Sequence, residues 1–84
     1  MYFVYVLRSE VNGYFYVGMT ADVNRRLNEH NTGKNKSTRA YKPWKLFFYE
    51  TLGSRKEARS REKYLKSGVG KEYIKNKWPS SSTE

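Results

Sequence analysis

The sequence predicts an α+β domain in which a small three-stranded antiparallel sheet is flanked by helices. Two runs of β-branched and aromatic residues near the N-terminus are separated by an Asn-Gly pair, and a third such run lies mid-chain. Helix-capping signals precede the polar segments that follow. We therefore expect the order β-β-α-β-α, with a further short helix near the end. The 84 residues suffice for one domain over residues 1–78, and the serine-rich segment 79–84 is expected to be a disordered tail.

The first two strands are predicted to form a hairpin. Residues 2–7 and 14–19 have strand character, and Asn12-Gly13 suits the turn between them. A six-residue loop would place Tyr5 directly opposite Tyr16. Opposed residues share a face of the sheet, so the two phenols are expected side by side.

A short helix is predicted over residues 21–31, with Thr20 as its cap. Side chains four positions apart lie on the same side of a helix. Asp22, Arg26 and His30 therefore line one side of it, and a cation and an imidazole face the same way.

The next segment, residues 32–43, lacks apolar periodicity and is predicted to be a loop. A loop this long in a small domain favours a functional role. Its four basic residues are either solvated or follow a phosphate backbone: Lys34, Lys36, Arg39 and Lys42. The third strand is predicted over residues 44–51, and its aromatic run suggests that helices cover both of its faces.

A second helix is marked by a capping box that starts at Ser54, and Gly68 is its expected stop. Ala58 and Leu65 set its inner face. Glu62 falls on that same stripe by its spacing. An inward carboxylate is costly unless it is paired or binds a metal, so Glu62 is a candidate ligand. A salt bridge, for example to Arg26, is the structural alternative.

The final short helix is predicted over residues 71–78.

Charge and composition limit the classes of function that are open to this chain. Seventeen Lys and Arg against eight Asp and Glu give a net charge of +9, which favours a polyanionic partner, nucleic acid above all. The absence of cysteine excludes disulfides and zinc-thiolate sites, and a single histidine excludes a multi-histidine cage. Neither a membrane span nor a signal peptide is apparent, so a cytoplasmic location without membrane contact is expected.

The candidate residues suit the hydrolysis of a phosphodiester. That reaction needs an activated water, a positive group at the phosphate and stabilisation of the leaving oxygen. A lone carboxylate, completed by waters and phosphate oxygens, is typical of magnesium binding.

These residues and their spacing resemble the GIY-YIG nuclease domain over nearly the whole chain, and in particular its small stand-alone members of the UPF0213 type. The positions that carry the resemblance are Tyr5, Tyr16-Val17-Gly18, Arg26, His30 and Glu62. The first signature reads Phe3-Val4-Tyr5 here, so its leading glycine is missing.

The resemblance implies a one-metal hydrolytic cut of nucleic acid, and we expect DNA more than RNA as the substrate, although the sequence leaves that choice open. Either Tyr5 or Tyr16 would activate or orient the attacking water, and Arg26 would bind the scissile phosphate. His30 would assist proton transfer or position a tyrosine. Glu62 would hold Mg²⁺ or Mn²⁺.

Two further positions take structural or minor roles in this interpretation. Gly18 would be required because a side chain there blocks the approach of a phosphate or of a packed helix. Asn76 would stand for an asparagine that related enzymes carry, although its spacing from Glu62 is unusual.

Two other functions remain open from the sequence. One is a non-catalytic nucleic-acid-binding module in which the tyrosines pack or stack. The other is an interaction domain whose basic surface meets an acidic protein. For the nuclease we expect low or structure-directed specificity, or a partner protein that supplies it, and the oligomeric state is left open.

Overall fold

A three-stranded antiparallel sheet forms the centre of the fold, with helices on both faces. The computed structural model describes residues 1–82, and the side chains of residues 1–77. Its elements are β1 Tyr2–Ser9, β2 Phe15–Thr20, α1 Val23–Thr32, a 3₁₀ turn Arg39–Tyr41, β3 Trp44–Leu52, α2 Arg55–Lys66 and α3 Gly68–Ser82. The predicted α+β class and element order are confirmed.

The strand order is β2-β1-β3, so β1 is the central strand. Residues 4–7 of β1 are all buried, because helices cover both faces at this point. The double coverage that the sequence suggested for β3 is partial: α1 and α2 both contact the strand, and Leu46 packs in one core while Phe47 and Phe48 pack in the other. β3 is an edge strand with one neighbour, and Lys45, Tyr49 and Thr51 stay exposed along it.

The register of the β1–β2 hairpin differs from the predicted one by two residues. Tyr5 lies opposite Gly18, and Tyr16 is its diagonal neighbour. The loop has the expected length but is shifted by one residue along the chain, because it closes between Ser9 and Tyr14, where the Ser9 amide donates to the Tyr14 carbonyl at 2.8 Å. A shift of two residues preserves the face of every side chain. The two phenols therefore do share a face, with ring centroids 6.2 Å apart.

The two faces of the sheet carry separate cores. The α2–α3 face is mainly aliphatic, and its buried residues are Val4, Val6, Val17, Ala58, Leu65 and Ile74. The α1 face is aromatic and aliphatic, and it contains Tyr5, Leu7 and Trp44 with Tyr16, Val23, Leu27 and Leu46 packed against them.

The start of α1 differs from the prediction by two residues. Asp22 is the N-cap, and its Oδ1 accepts from the Arg25 amide at 3.0 Å. Thr20 instead accepts a hydrogen bond from the Asp22 amide at 3.0 Å, in the turn that precedes the helix. A carboxylate competes well for the cap position because it also complements the positive end of the helix.

The end of α2 also differs. Its start at Ser54 is confirmed by the bond from the Glu57 amide to the serine hydroxyl. The helix ends at Lys66, and its C-cap is Ser67 rather than Gly68, because the Ser67 hydroxyl bonds to both helices. It donates to the Tyr64 carbonyl and accepts from the Gly70 amide.

The helix α3 is longer than the predicted residues 71–78 at both ends. It continues to Ser82, within the segment expected to be a tail. The last two residues lie outside the described part of the chain. In the described part, none of the helices has the length and apolar character that a membrane crossing requires.

Candidate active site

The centre of the candidate site is a buried chain of three hydrogen-bonded side chains. The Tyr5 hydroxyl lies 3.0 Å from His30 Nε2, and His30 Nδ1 lies 2.8 Å from Thr38 Oγ1. Their exposed fractions are 1%, 0% and 2%. One residue comes from β1, one from α1 and one from the loop before the 3₁₀ turn, so the fold joins three distant parts of the chain.

Burial keeps the His30 imidazole neutral. Loss of water lowers the pKa of His30, and the Arg26 guanidinium lowers it further. A neutral imidazole has one N–H donor and one acceptor. The Thr38 hydroxyl is placed to donate to the Asn35 carbonyl at 3.5 Å. We therefore assign Nδ1–H as the donor to Thr38, which leaves Nε2 to accept the hydroxyl proton of Tyr5.

The Tyr5 hydroxyl also lies within the electrostatic reach of two other candidates. Burial raises the pKa of Tyr5, and the Arg26 guanidinium opposes that rise. The charges of Tyr16 and Glu62 raise the same pKa. The site residues on β1, β2, α1 and α2 thus act on one phenol.

Gly18 makes room for the Tyr5 ring. A Cβ on Gly18 would lie 2.6 Å from Tyr5 Oη and 2.7 Å from Cζ, well inside van der Waals contact. The sequence interpretation assigned this glycine to the approach of a phosphate or a helix. The structure shows that the group approaching it is the aromatic ring of the directly opposed residue.

Tyr16 covers the imidazole from the β2 side. Its ring centroid lies 4.8 Å from that of His30 and 6.2 Å from that of Trp44. Unlike Tyr5, Tyr16 is only half-buried, so part of its side chain is open to solvent.

Arg26 and Arg25 occupy different surroundings although they are neighbours. Arg26 is 30% exposed, and its Nη1 lies 2.6 Å from Glu29 Oε1. Burial lowers the pKa of Arg26, but its contacts with Glu29 and Tyr5 together raise it, so the guanidinium stays charged. Arg25 is 62% exposed and reaches the same carboxylate at 3.4 Å. It therefore faces mainly solvent.

Glu62 lies on the inward stripe of α2, as predicted, and its side chain is 18% exposed. Its Oε2 pairs with Lys66 Nζ at 3.2 Å, and Lys66 is itself 53% exposed. The alternative pair with Arg26 does not form, because Arg26 binds Glu29. A solvated lysine one turn away leaves the carboxylate accessible from outside.

The donor chemistry at Glu62 fits magnesium and not a zinc cage. The described residues contain no group of three or more His, Cys, Asp or Glu side chains that could hold a metal. A hard cation that keeps most of its waters and also takes phosphate oxygens needs only one or two carboxylates from the protein. Glu62 could be the one protein ligand of Mg²⁺ or Mn²⁺.

The four basic loop residues are all exposed, near the C-terminal end of α1. Lys34 and Lys36 border the same surface pocket as Arg26. Arg39 and Lys42 lie beside the glycine that caps α1. They form a basic margin next to the site. Asn76 is an exposed residue of α3.

Two residues of the site were not predicted as partners of the candidate catalytic side chains. Glu29 holds Arg26, and the signal for it was its position three residues further along the same helix. Thr38 orients His30, but a threonine in a loop without periodicity carries no pattern that indicates burial.

The chain matches proteins of a known family. Residues 1–76 match the family model of the GIY-YIG catalytic domain. The chain therefore belongs to the GIY-YIG family.

Within that family the chain is similar to small UPF0213 proteins. One from Streptococcus agalactiae is 48% identical over 65 residues, which cover 76% of this chain and 73% of the relative. One from Bacillus subtilis is 35% identical over 80 residues, which cover 90% and 80%. The solution NMR structure of a UPF0213 protein from Bacillus halodurans matches with a TM-score of 0.55 and 35% identity, over 90% of this chain and 84% of that one.

Proposed function

We propose that this protein is a metal-dependent endonuclease that hydrolyses phosphodiester bonds in DNA. Membership of a catalytic-domain family supports the reaction class. The observation that carries the proposal is the bond between the Tyr5 hydroxyl and Nε2 of a neutral, buried His30. A neutral imidazole whose Nε2 lone pair faces the Tyr5 hydroxyl can take the phenol proton during the reaction.

In this proposal Tyr5 and His30 remove the proton of the attacking water. The water oxygen forms a bond to phosphorus while the bond from phosphorus to the leaving sugar oxygen breaks. Tyr5 takes the water proton as it passes its own to Nε2, and Thr38 holds the ring in the tautomer that can accept it. Tyr16 closes the wall above the imidazole and orients the water.

Arg26 and Glu62 supply the electrostatic part. Glu29 fixes the Arg26 guanidinium at the edge of the site, where it would bind the scissile phosphate. A Mg²⁺ or Mn²⁺ ion at Glu62 would neutralise charge that builds up on the leaving oxygen. The basic margin and the net charge of +9 would hold the rest of the DNA backbone.

A nicking assay on supercoiled plasmid tests the proposal. We expect cutting that requires Mg²⁺ or Mn²⁺ and falls about a hundredfold or more in Glu62→Gln. The matched control is Glu72→Gln, which makes the same change at an exposed site on α3. DNA binding in EDTA should survive in both variants. Equal cutting by Glu62→Gln and the control would reject the assigned site.

The same experiment separates the two other functions. DNA binding with a steep salt dependence, but no cutting with any divalent ion, identifies a binding module. A failure to bind DNA at low salt leaves only an acidic protein as the partner of the basic surface.

A further inference from the structure

The two edge strands of the sheet differ in how they are protected against a further strand. An edge strand exposes main-chain groups, and proteins usually block such an edge with charged side chains, proline or a bulge. β3 carries Lys45 and Glu50, and its pairing with β1 contains a register shift. The sequence of β2 contains no charged residue and no proline, and its pairing with β1 is regular throughout. The edge of β2 therefore lacks the devices that protect β3.

The outer edge of β2 presents the main chain of Phe15 and Val17. The Ser9 amide donates to the Tyr14 carbonyl, so these two residues form a hydrogen-bonded pair. Such pairs alternate along an antiparallel ladder, which puts Phe15 and Val17 at non-hydrogen-bonded positions opposite β1. Their amides and carbonyls consequently point away from β1, towards the outside of the sheet.

A cleft of about 610 Å³ lies beside this part of β2, on the face that α2 and α3 cover. We refer to it as the β2 cleft. Its apolar lining consists of Phe15, Val17, Leu65 and Ile74, and its basic lining consists of Lys66, Lys71 and Lys75. The rings of Tyr14 and Tyr16 turn to the opposite face, where they pack near Tyr41 and His30. The strand thus meets the cleft with its edge and with apolar side chains.

The charge of the β2 cleft indicates an acidic occupant. All three of its lysines are exposed, and none of the described residues that line it is acidic. A second copy of this chain would bring its own lysines and a net charge of +9 to the same place, which opposes self-association there. A nucleic-acid backbone has the right charge, but it has neither apolar side chains for the cleft nor peptide groups for the strand edge. An acidic polypeptide has all three.

We propose that an extended acidic segment of a partner protein adds to the edge of β2 as a fourth strand. Its main chain pairs with Phe15 and Val17, its alternate apolar side chains enter the β2 cleft, and neighbouring carboxylates meet the lysines. This surface lies on the opposite face of the sheet from the bond between Tyr5 and His30. The interaction goes beyond the proposed function and does not depend on it.

NMR spectroscopy of the full chain, labelled with nitrogen-15, tests the proposal. The probe is a synthetic peptide of about eight residues in which valine and glutamate alternate, the length of an ordinary strand. We expect saturable shifts of amide signals confined to residues 13–17 and to the facing part of residues 65–75. Hydrogen exchange should slow at the Phe15 and Val17 amides. The same peptide, N-methylated along its whole length, cannot donate main-chain hydrogen bonds and should bind about tenfold more weakly.

A pair of double variants tests the charge of the β2 cleft. Lys71→Ala/Lys75→Ala should weaken peptide binding about fivefold at low salt, because two exposed ion pairs are lost. The control, Lys56→Ala/Lys63→Ala, removes two exposed lysines of α2 that do not line the cleft, and it should bind the peptide about as well as wild type.

Four results would overturn the inference. These are the absence of shifts with the peptide, equal weakening in the two double variants, and equal binding of the parent and N-methylated peptides. The fourth is the appearance of the same shifts without the peptide, either as protein concentration rises or when a DNA oligonucleotide is added. The edge would then belong to a second copy of the chain or to nucleic acid.

Discussion

The two faces of the sheet differ in the kind of side chain that they bury. The α2–α3 face buries mainly aliphatic side chains that lack polar atoms. The buried polar residues that the structure describes lie on the α1 side instead, and these are Ser9, Thr20, His30 and Thr38.

This difference shows where the fold can accommodate chemistry. A buried polar group destabilises a protein unless it has a hydrogen-bond partner. In the described residues, every buried side-chain polar atom has one. The aliphatic core has no polar side chains that need partners, and the α1 face holds a polar network whose buried atoms are all paired in the described residues.

The largest expected contrast is between neighbours on β1 that point to opposite faces. Val6→Ala should lower the free energy of unfolding by about 2–3 kcal/mol and leave cutting per folded molecule unchanged. Tyr5→Phe should cost about 1 kcal/mol but slow cutting between about 10²- and 10⁴-fold. Urea unfolding and single-turnover cutting measure the two quantities. If both variants lose stability and cutting rate to the same extent, the two faces do not have separate roles.

Gly18→Ala should damage stability and chemistry together. The new Cβ must displace the Tyr5 ring, which costs about 1–3 kcal/mol and lengthens the bond to His30. Gly68→Ala is the control, because a Cβ there meets no atom within 4 Å. A Gly18→Ala protein as stable and active as wild type would show that Tyr5 does not need its present position.

The sequence predicted the fold better than the local details of the site. Periodicity and capping gave the element order, because those patterns are local. The two-residue error in the hairpin did no harm, since alternation returned both phenols to the same face. The partners of His30 and Arg26 could not be predicted in the same way. Thr38 is buried only because the long loop folds back over α1, which is a tertiary event.

Thr38→Val should remove the hydrogen bond that orients the imidazole. Valine preserves the shape but leaves His30 Nδ1–H without an acceptor, at a cost of about 1–3 kcal/mol. Thr38→Ser should restore stability and cutting because it returns the hydroxyl. Nitrogen-15 NMR of the imidazole reports the tautomer. If Thr38→Val keeps both the wild-type tautomer and full activity, Thr38 does not orient the imidazole as assigned.

The pH dependence of stability gives a smaller, specific effect. The pKa of His30 is lowered in the folded protein by burial and by Arg26, whereas the unfolded value is near 6.5. Below about pH 6.5 the imidazole is protonated in the unfolded chain but stays neutral in the folded chain. The free energy of unfolding should then fall with decreasing pH, by up to about 1.4 kcal/mol per unit, until the folded pKa is reached.

Urea unfolding between pH 7.5 and 5 measures this slope, and His30→Gln should remove it. Glu29 does not interfere in that range, because the hydrogen bond from Arg26 lowers the pKa of an already acidic carboxyl. An unchanged slope in His30→Gln would place the titrating group elsewhere.

The smallest effect is expected at Arg25, and it sharpens the comparison because Arg26 is its neighbour. Exposed ion pairs contribute little, so Arg25→Ala should leave the urea midpoint and the cutting rate near wild type. Arg26→Ala should slow cutting about a hundredfold, since this guanidinium is partly buried at Tyr5 and held by Glu29. Both variants remove one positive charge from α1. Equal losses of cutting rate in the two variants would mean that the α1 face attracts DNA only by its total charge. No single cation on that face would then bind the scissile phosphate.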